Sequence, residues 1–231
     1  MSLTTGLAAF YKLADANDSV GSRNLTETGS PAYAAGKIGN ALSLDGTNRL
    51  LLTDDLFRLD QGGDRTFAGW IKAVDFTGQP GILSNWANGG GGPVQWLFWH
   101  DGTNLAVQIR DVSNTDHAAQ WGGTINADTF YFFCLRWTAA TGKFSLSIDT
   151  GTAVEATTPD VKVGIGSFEL GGRNNGGANF KGLIDAVGVW SRVLSSAELT
   201  SLYNAGAGRE IPFPADAILF PVCLYDDSSA Q

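Results

Sequence analysis

The chain is poor in the residues that most often carry chemistry. Its only cysteines are Cys134 and Cys223, too few for a disulfide framework and without zinc-ligand spacing. Cys134 falls inside the apolar run 130–137 and reads as a buried free thiol. The two histidines, His100 in a hairpin turn and His117 in a polar loop, join no recognisable Ser, Cys or Asp constellation. Charged side chains make up only 16% of the residues, and acidic ones outnumber basic ones by 23 to 15. Arg58, Arg65, Arg110, Arg136 and Arg173 are scattered and form no stripe. A net charge of −8 repels a phosphate backbone, which argues against nucleic acid as a partner. No apolar run reaches membrane-spanning length, so no membrane insertion is expected. The N-terminus lacks the basic-then-apolar pattern of a secretory leader. That predicts a soluble cytoplasmic product, a non-classically exported one, or a mature fragment.

What is abundant points to strands. Thirty glycines and 43% hydrophobic residues suit short strands, tight turns and a large core. Apolar runs recur between turn signals at 7–13, 41–44, 50–53, 66–74, 94–99 and 105–110, then at 130–137, 144–148, 168–170 and 183–190. The turn 100–104 makes a hairpin of two of them, and 139–142 makes another. The glycine-rich stretches 89–92 and 171–177 precede no helix and read as loops rather than phosphate sites. One helix is expected, across an edge or end of the fold. Ser195 and Glu198 have capping-box spacing, Leu199, Leu202 and Tyr203 share a face, and Gly206 stands where the helix would stop. The expected fold is all-β, a two-sheet antiparallel sandwich.

Three segments, in order, carry a resemblance. The first runs from Gly6-Leu-Ala-Ala-Phe10-Tyr11 to Gly36-Lys37-Ile38-Gly39-Asn40-Ala41, and the second is Phe67-Ala-Gly69-Trp70-Ile71. The third is Gly182-Leu-Ile184-Asp185-Ala-Val187-Gly-Val189-Trp190, continued by Arg192, Leu194, Glu198 and Tyr203. Together they resemble the laminin-G-like, concanavalin-A-like jelly-roll family over roughly residues 6–208. The resemblance implies two stacked sheets, one curved, and often a calcium ion at the rim. It divides the chain into a domain over 1–210 and an apolar C-terminal extension over 211–231. The chain is also similar to short, stand-alone proteins of tailed-phage virions, which would place it on a virion surface.

Candidate sites follow from both readings. Strict alternation puts Leu183, Asp185, Val187 and Val189 on one face, where an ionised Asp185 needs compensation. Calcium is the compensation the family implies, with Asp15, Asp18 and Asp45 as further oxygen donors. Backbone N–H groups of a neighbouring loop are the alternative. The glutamates Glu27, Glu155, Glu169, Glu198 and Glu210 show no Glu-x-Asp pattern, so a retaining glycosidase pair is missing.

Seven tryptophans suit sugar stacking, although Trp70, Trp96, Trp137 and Trp190 are expected to pack between the sheets. In the 94–110 hairpin, Trp96 and Phe98 should face the core. Gln95, Trp99, Gln108 and Arg110 should then line an accessible face, with Trp86 and Trp121 nearby, for a glycan or a protein partner.

The tail residues Ile218, Leu219, Phe220, Val222, Leu224 and Tyr225 could fold back on the sandwich or dock on a neighbouring subunit, another copy or a capsid or tail protein. The expected function is a non-catalytic lectin-like module, displayed for decoration or adhesion on a larger assembly such as a phage virion. A stand-alone carbohydrate-binding module is the alternative, and a glycan-cleaving enzyme the third reading.

Overall fold

A computed structural model describes residues 2–86, 94–164, 167–173 and 178–213. Fifteen strands follow one another along these segments. They begin with β1 (Leu7–Tyr11), β2 (Thr26–Thr28), β3 (Ala32–Ala35), β4 (Asn40–Asp45) and β5 (Arg49–Leu52). The middle of the chain supplies β6 (Arg65–Ala73), β7 (Gly81–Trp86), β8 (Val94–His100), β9 (Leu105–Arg110) and β10 (Asp116–Trp121). The last are β11 (Tyr131–Thr138), β12 (Lys143–Ile148), β13 (Val154–Thr157), β14 (Ser167–Leu170) and β15 (Lys181–Trp190). One helix, α1 (Ser196–Tyr203), comes after them.

The strands form two antiparallel sheets. Sheet A runs β13–β12–β11–β6–β15–β4–β3, and sheet B runs β10–β9–β8–β7–β14–β5–β2. Strand β15 is long enough to pair β4 with its first half and β1 with its second. Between the sheets, alternate side chains interdigitate, as a sandwich requires. Phe67 of sheet A meets Trp96 of sheet B with ring centroids 4.8 Å apart, and Phe133 meets Phe98 at 5.0 Å. Phe57, from the segment before β6, stacks on Phe168 at 4.1 Å and accepts the Trp96 indole N–H at its carbonyl, 2.8 Å away.

Sheet A carries a second apolar layer on its outer face. Trp70 of β6, Phe132 and Cys134 of β11 and Trp190 of β15 form it, under Leu199, Leu202 and Tyr203 of α1. Tyr203 stacks on Trp70 at 5.7 Å. This corrects the expectation that all four of Trp70, Trp96, Trp137 and Trp190 lie between the sheets. Only Trp96 and Trp137 belong to the inner core. The helix covers a sheet face rather than an edge or end. The physical reason is legible in β6, where seven of the nine residues are buried and Arg65 and Lys72 are the two that are not. A strand this apolar on both sides needs two covers. Cys134 is fully buried in this layer, and burial pushes its thiol up to about 12.

Strand β15 changes face partway. Ala186 has φ +49°, and the register against β6 shifts between Asp185 and Gly188. Such a bulge inserts one residue and reverses the alternation beyond it. Val187 and Val189 therefore join the inner core, while Asp185 points to the outer side of sheet A, contrary to the single face expected from strict alternation.

The first described residues and the segment up to Phe213 are tied down on that outer side. Ser195 caps α1 and Glu198 completes the capping box, while Asn204 ends the helix in the left-handed region. Arg192 grips both Glu198 oxygens, at 2.9 and 2.7 Å, and donates to the carbonyls of Thr5 and Ser2. The Trp190 indole donates to the Leu3 carbonyl at 2.7 Å. At the other end, Ile211 and Phe213, the start of the extension, pack on the same layer, with Phe213 edge-on to Phe10 at 5.6 Å. The tail residues 214–231, with Ile218 to Tyr225 and Cys223, lie outside the described residues.

The Arg192 fork holds the Glu198 carboxyl down at about 2. A depressed carboxyl contributes stability above its ordinary range and loses it as pH falls through the folded value. Arg192→Ala is expected to cost about 2–4 kcal/mol in urea unfolding at pH 7, because it strands a largely buried carboxylate. Arg192→Lys should recover only part of that, since an ammonium cannot reproduce the fork. Equal stability of the alanine variant and the native protein would show that the clamp is dispensable.

Candidate functional site

The expected sugar-facing surface is the outer side of sheet B, and its strands place the named residues as the alternation requires. In the ladder, Gln108 of β9 stands between Leu97 of β8 and Ala118 of β10. The surface is less open than expected. Gln95 is fully buried: its amide oxygen accepts the Leu59 N–H at 2.7 Å, and its nitrogen donates to Asp60 and to the Lys162 carbonyl. Loops from both flanks close over it, so its role is to tie them together.

Arg110 is half-buried and its fork is spent on Asp116, at 2.5 and 2.7 Å. Trp121 packs on the inner core and lies over Gly123. The Trp86 and Val94 side chains lie outside the described part. In the middle of the face, Ser84 donates to the Gly172 carbonyl at 2.9 Å and the Arg49–Glu169 ion pair, 3.6 Å, is nearly buried. The segment after β14 therefore covers the centre of the sheet.

Trp99 remains accessible at the margin of that cover. Gly81 pairs with Trp99 on one side and bridges Asn179 on the other. A Cβ on Gly81 would come within 2.7 Å of Arg173 Cβ, so only glycine lets Arg173 cross this point. The Arg173 guanidinium then lies 4.7 Å from the centre of the Trp99 ring. Trp99 Nε1 and Asn179 Oδ1 are both buried and have no hydrogen-bond partner among the described residues. Asn179 Oδ1 lies toward Gly172 and the Arg49–Glu169 pair, while Arg173 covers the Trp99 ring. Arg173 and Asn179 were missed in the sequence because a glycine-rich loop carries no periodicity to place them.

The four aspartates do not form one ligand set. Asp185 Oδ2 accepts the N–H groups of Lys37 and Ile38, at 2.7 and 2.8 Å, in the turn between β3 and β4. That is the backbone alternative to a metal. A Cβ at Gly36 would come within 2.5 Å of the same oxygen. Asp18 staples its own loop by accepting from Phe10, Val20 and Arg23 N–H groups. Asp15 holds Asn17, and Asp45 holds Thr47. Among the described residues, no three His, Cys, Asp or Glu side chains come together as metal ligands.

The remaining titratable groups are engaged elsewhere. Glu27 takes the Tyr33 hydroxyl, Glu155 faces Lys143, Glu169 faces Arg49, Glu198 is held by Arg192 and Glu210 lies 3.7 Å from Lys12. His117 lies in strand β10 rather than in a loop, with its Nε2 3.0 Å from Asp111. His100 stacks on Phe76 at 4.3 Å and burial lowers its pKa.

A groove of about 520 Å³ lies at one end of the sandwich, between the β11–β12 hairpin and the segment after β13, with Trp137 among its lining residues. No helix among the described residues is long and apolar enough to cross a membrane.

Residues 44–200 match the family described as the concanavalin A-like lectin/glucanases superfamily. No curated protein matches the chain in sequence. Among solved structures, the chain is similar to domain 4 of AbnA, a GH43 extracellular arabinanase from Geobacillus stearothermophilus, in complex with arabinotriose. That match has 21% identity and a TM-score of 0.64, and covers 88% of this chain and 98% of that one. The binding domain of Paraclostridial Mosquitocidal Protein 1 matches with TM-score 0.71 at 12% identity, covering 89% of this chain and 53% of that one. The receptor binding domain of botulinum neurotoxin D matches with TM-score 0.65 at 13% identity, covering 89% and 54%. The chain thus spans about half the length of the two toxin fragments.

The buried Asp185 makes a prediction of its own. Burial pushes its carboxyl from 3.8 up to about 6, and its Oδ1 has no partner among the described residues. A raised carboxyl favours the folded state fully below the ordinary value, and that contribution fades as pH rises through 6. The loss amounts to about 3 kcal/mol. The melting temperature of the native protein should therefore fall relative to that of Asp185→Asn between pH 4 and pH 7. Parallel melting curves over that range would remove Asp185 as the cause.

Proposed function

Because the chain belongs to the concanavalin A-like lectin/glucanases superfamily, we propose that it is a non-catalytic glycan-recognition module built into a larger assembly. The observation that carries this reading is the partly exposed Trp99 ring on the outer side of sheet B, with the Arg173 guanidinium 4.7 Å from its centre. The C–H face of a sugar ring can lie against such an indole while its hydroxyl oxygens accept from the guanidinium. Glycan cleavage by a carboxylate pair has less support, since each glutamate already faces a cation or a hydrogen-bond donor. The arabinanase domain, similar over nearly its whole length, was seen with arabinotriose, which makes neutral oligosaccharides the first ligands to offer.

The finer reading is a surface-displayed component for decoration or adhesion, with a phage-like virion as its concrete setting. Its support is the sequence of the tail, where Ile218, Leu219, Phe220, Val222, Leu224 and Tyr225 form an apolar run suited to a neighbouring subunit. Phe213 packs on the outer layer of sheet A, and the truncation is therefore placed after it.

Two measurements test these readings. On a glycan array followed by calorimetry, the protein should bind a neutral oligosaccharide, and Trp99→Ala or Arg173→Ala should weaken that binding at least about tenfold. A flat array with the native protein would end the glycan reading. In sedimentation, the full chain should form an oligomer and the chain ending at 213 a monomer. A monomer in both cases would end the assembly role of the tail.

A further inference from the structure

We propose that a cavity on the outer side of sheet A, between α1 and the β12–β13 connection, binds an acidic sugar residue by its carboxylate. This rests on the glycan-recognition reading and extends it to the opposite side of the sandwich from Trp99. The cavity holds about 190 Å³. That is room for roughly six waters, the scale of a single sugar residue. Its walls are fixed before any ligand arrives. Asp149 donates its N–H to the Phe132 carbonyl at 2.7 Å and accepts the Phe132 N–H on Oδ1 at 2.9 Å. Gly151 donates to the Ile148 carbonyl at 3.0 Å, and the capping box sets the first turn of α1. Little ordering is left for a ligand to impose.

Arg136 supplies the group that calls for a ligand. Its neighbours in β11, Leu135 and Trp137, belong to the inner core, while Cys134 belongs to the outer layer. Alternation therefore puts the Arg136 side chain on the outer face. There its Nε donates to the hydroxyl of Ser145 on β12 at 3.3 Å. Arg136 borders this cavity together with Ser147, and a second outer cavity of about 180 Å³ together with Ser145. Its guanidinium thus stands between two openings of one face. Arg23, Arg58, Arg110 and Arg192 each grip a carboxylate. Arg136 has no ion pair among the described residues, and its terminal nitrogens are neither bonded there nor sealed from solvent.

The surroundings select what answers it. A carboxylate matches the guanidinium fork with two charge-assisted bonds. Lys143 and Glu155, beside the second cavity, already neutralise each other at 2.6 Å. Asp149 lines the first cavity but makes no ion pair with Arg136. A bare anion is repelled by that carboxylate. A sugar acid can instead turn its hydroxyls toward Asp149 and its own carboxylate toward Arg136. Ser147, Thr150, Thr152 and Thr200 also line the cavity, with hydrocarbon from Ala153 and Leu199. Hydroxyl groups both donate and accept, which suits a polyhydroxy ligand better than an apolar peptide side chain.

The test is calorimetric titration of the full chain with an oligogalacturonate and with the same sugar as its neutral methyl ester. The acid should bind saturably and the ester at least about tenfold more weakly, since esterification removes the charge and keeps the hydroxyls. Arg136→Gln should weaken binding of the acid by a similar factor, and Arg136→Lys should restore only part of it. Thr200→Tyr, at an exposed position of α1, should obstruct the cavity and weaken the acid while neutral sugars still bind. This variant keeps the test sound if Arg136 is needed for folding. Equal binding of acid and ester would overturn the site and leave glycan recognition standing. Acid binding lost in Trp99→Ala but untouched by Thr200→Tyr would do the same, as would neutral sugars binding where the acid does not. Failure of every sugar, acidic or neutral, to bind would overturn both readings.

Discussion

Strands β6 and β15 must be covered on both of their faces, and the rest of the architecture answers that demand. Sheet B covers the inner side. The outer side takes α1, the first residues of the chain and the segment ending at Phe213. Neither helix nor termini are held by their own local preferences, since a helix of eight residues is marginal alone. They are held because Trp70, Phe132 and Trp190 would otherwise face water. Arg192 then converts that apolar contact into a defined geometry by gripping Glu198 and two carbonyls near the N-terminus.

Much of this was legible in the residues. The hairpins of β8–β9 and β11–β12 followed from apolar runs around turn residues, and the capping box of α1 was readable from Ser195 and Glu198. Short or weakly patterned strands were not. Asp116–Trp121 has no apolar alternation and is a strand because β9 supplies a ladder for it. Gly81–Trp86 gave no periodic signal either, yet it lies in the middle of sheet B. The bulge at Ala186 was invisible because nothing in the order of side chains announces a left-handed alanine. Its consequence was large: the face assigned to Asp185 was reversed.

The candidate site shows the same division. Alternation correctly put Gln95, Trp99, Gln108 and Arg110 on one side of the hairpin. It could not reveal that flanking loops bury Gln95 or that Asp116 occupies Arg110. Loop coverage is a tertiary property, and so are the positions of Arg173 and Asn179. What the pairings leave partly exposed on this face includes the Trp99 ring, beside Arg173.

Leu3 and Phe213 belong to one apolar layer behind sheet A, which gives the domain a back and a front. The described chain therefore starts and closes on one side of the sandwich, with the outer surface of sheet B on the other. Substitutions in that apolar layer and substitutions on the outer side of sheet B thus act on opposite sides of the same pair of sheets.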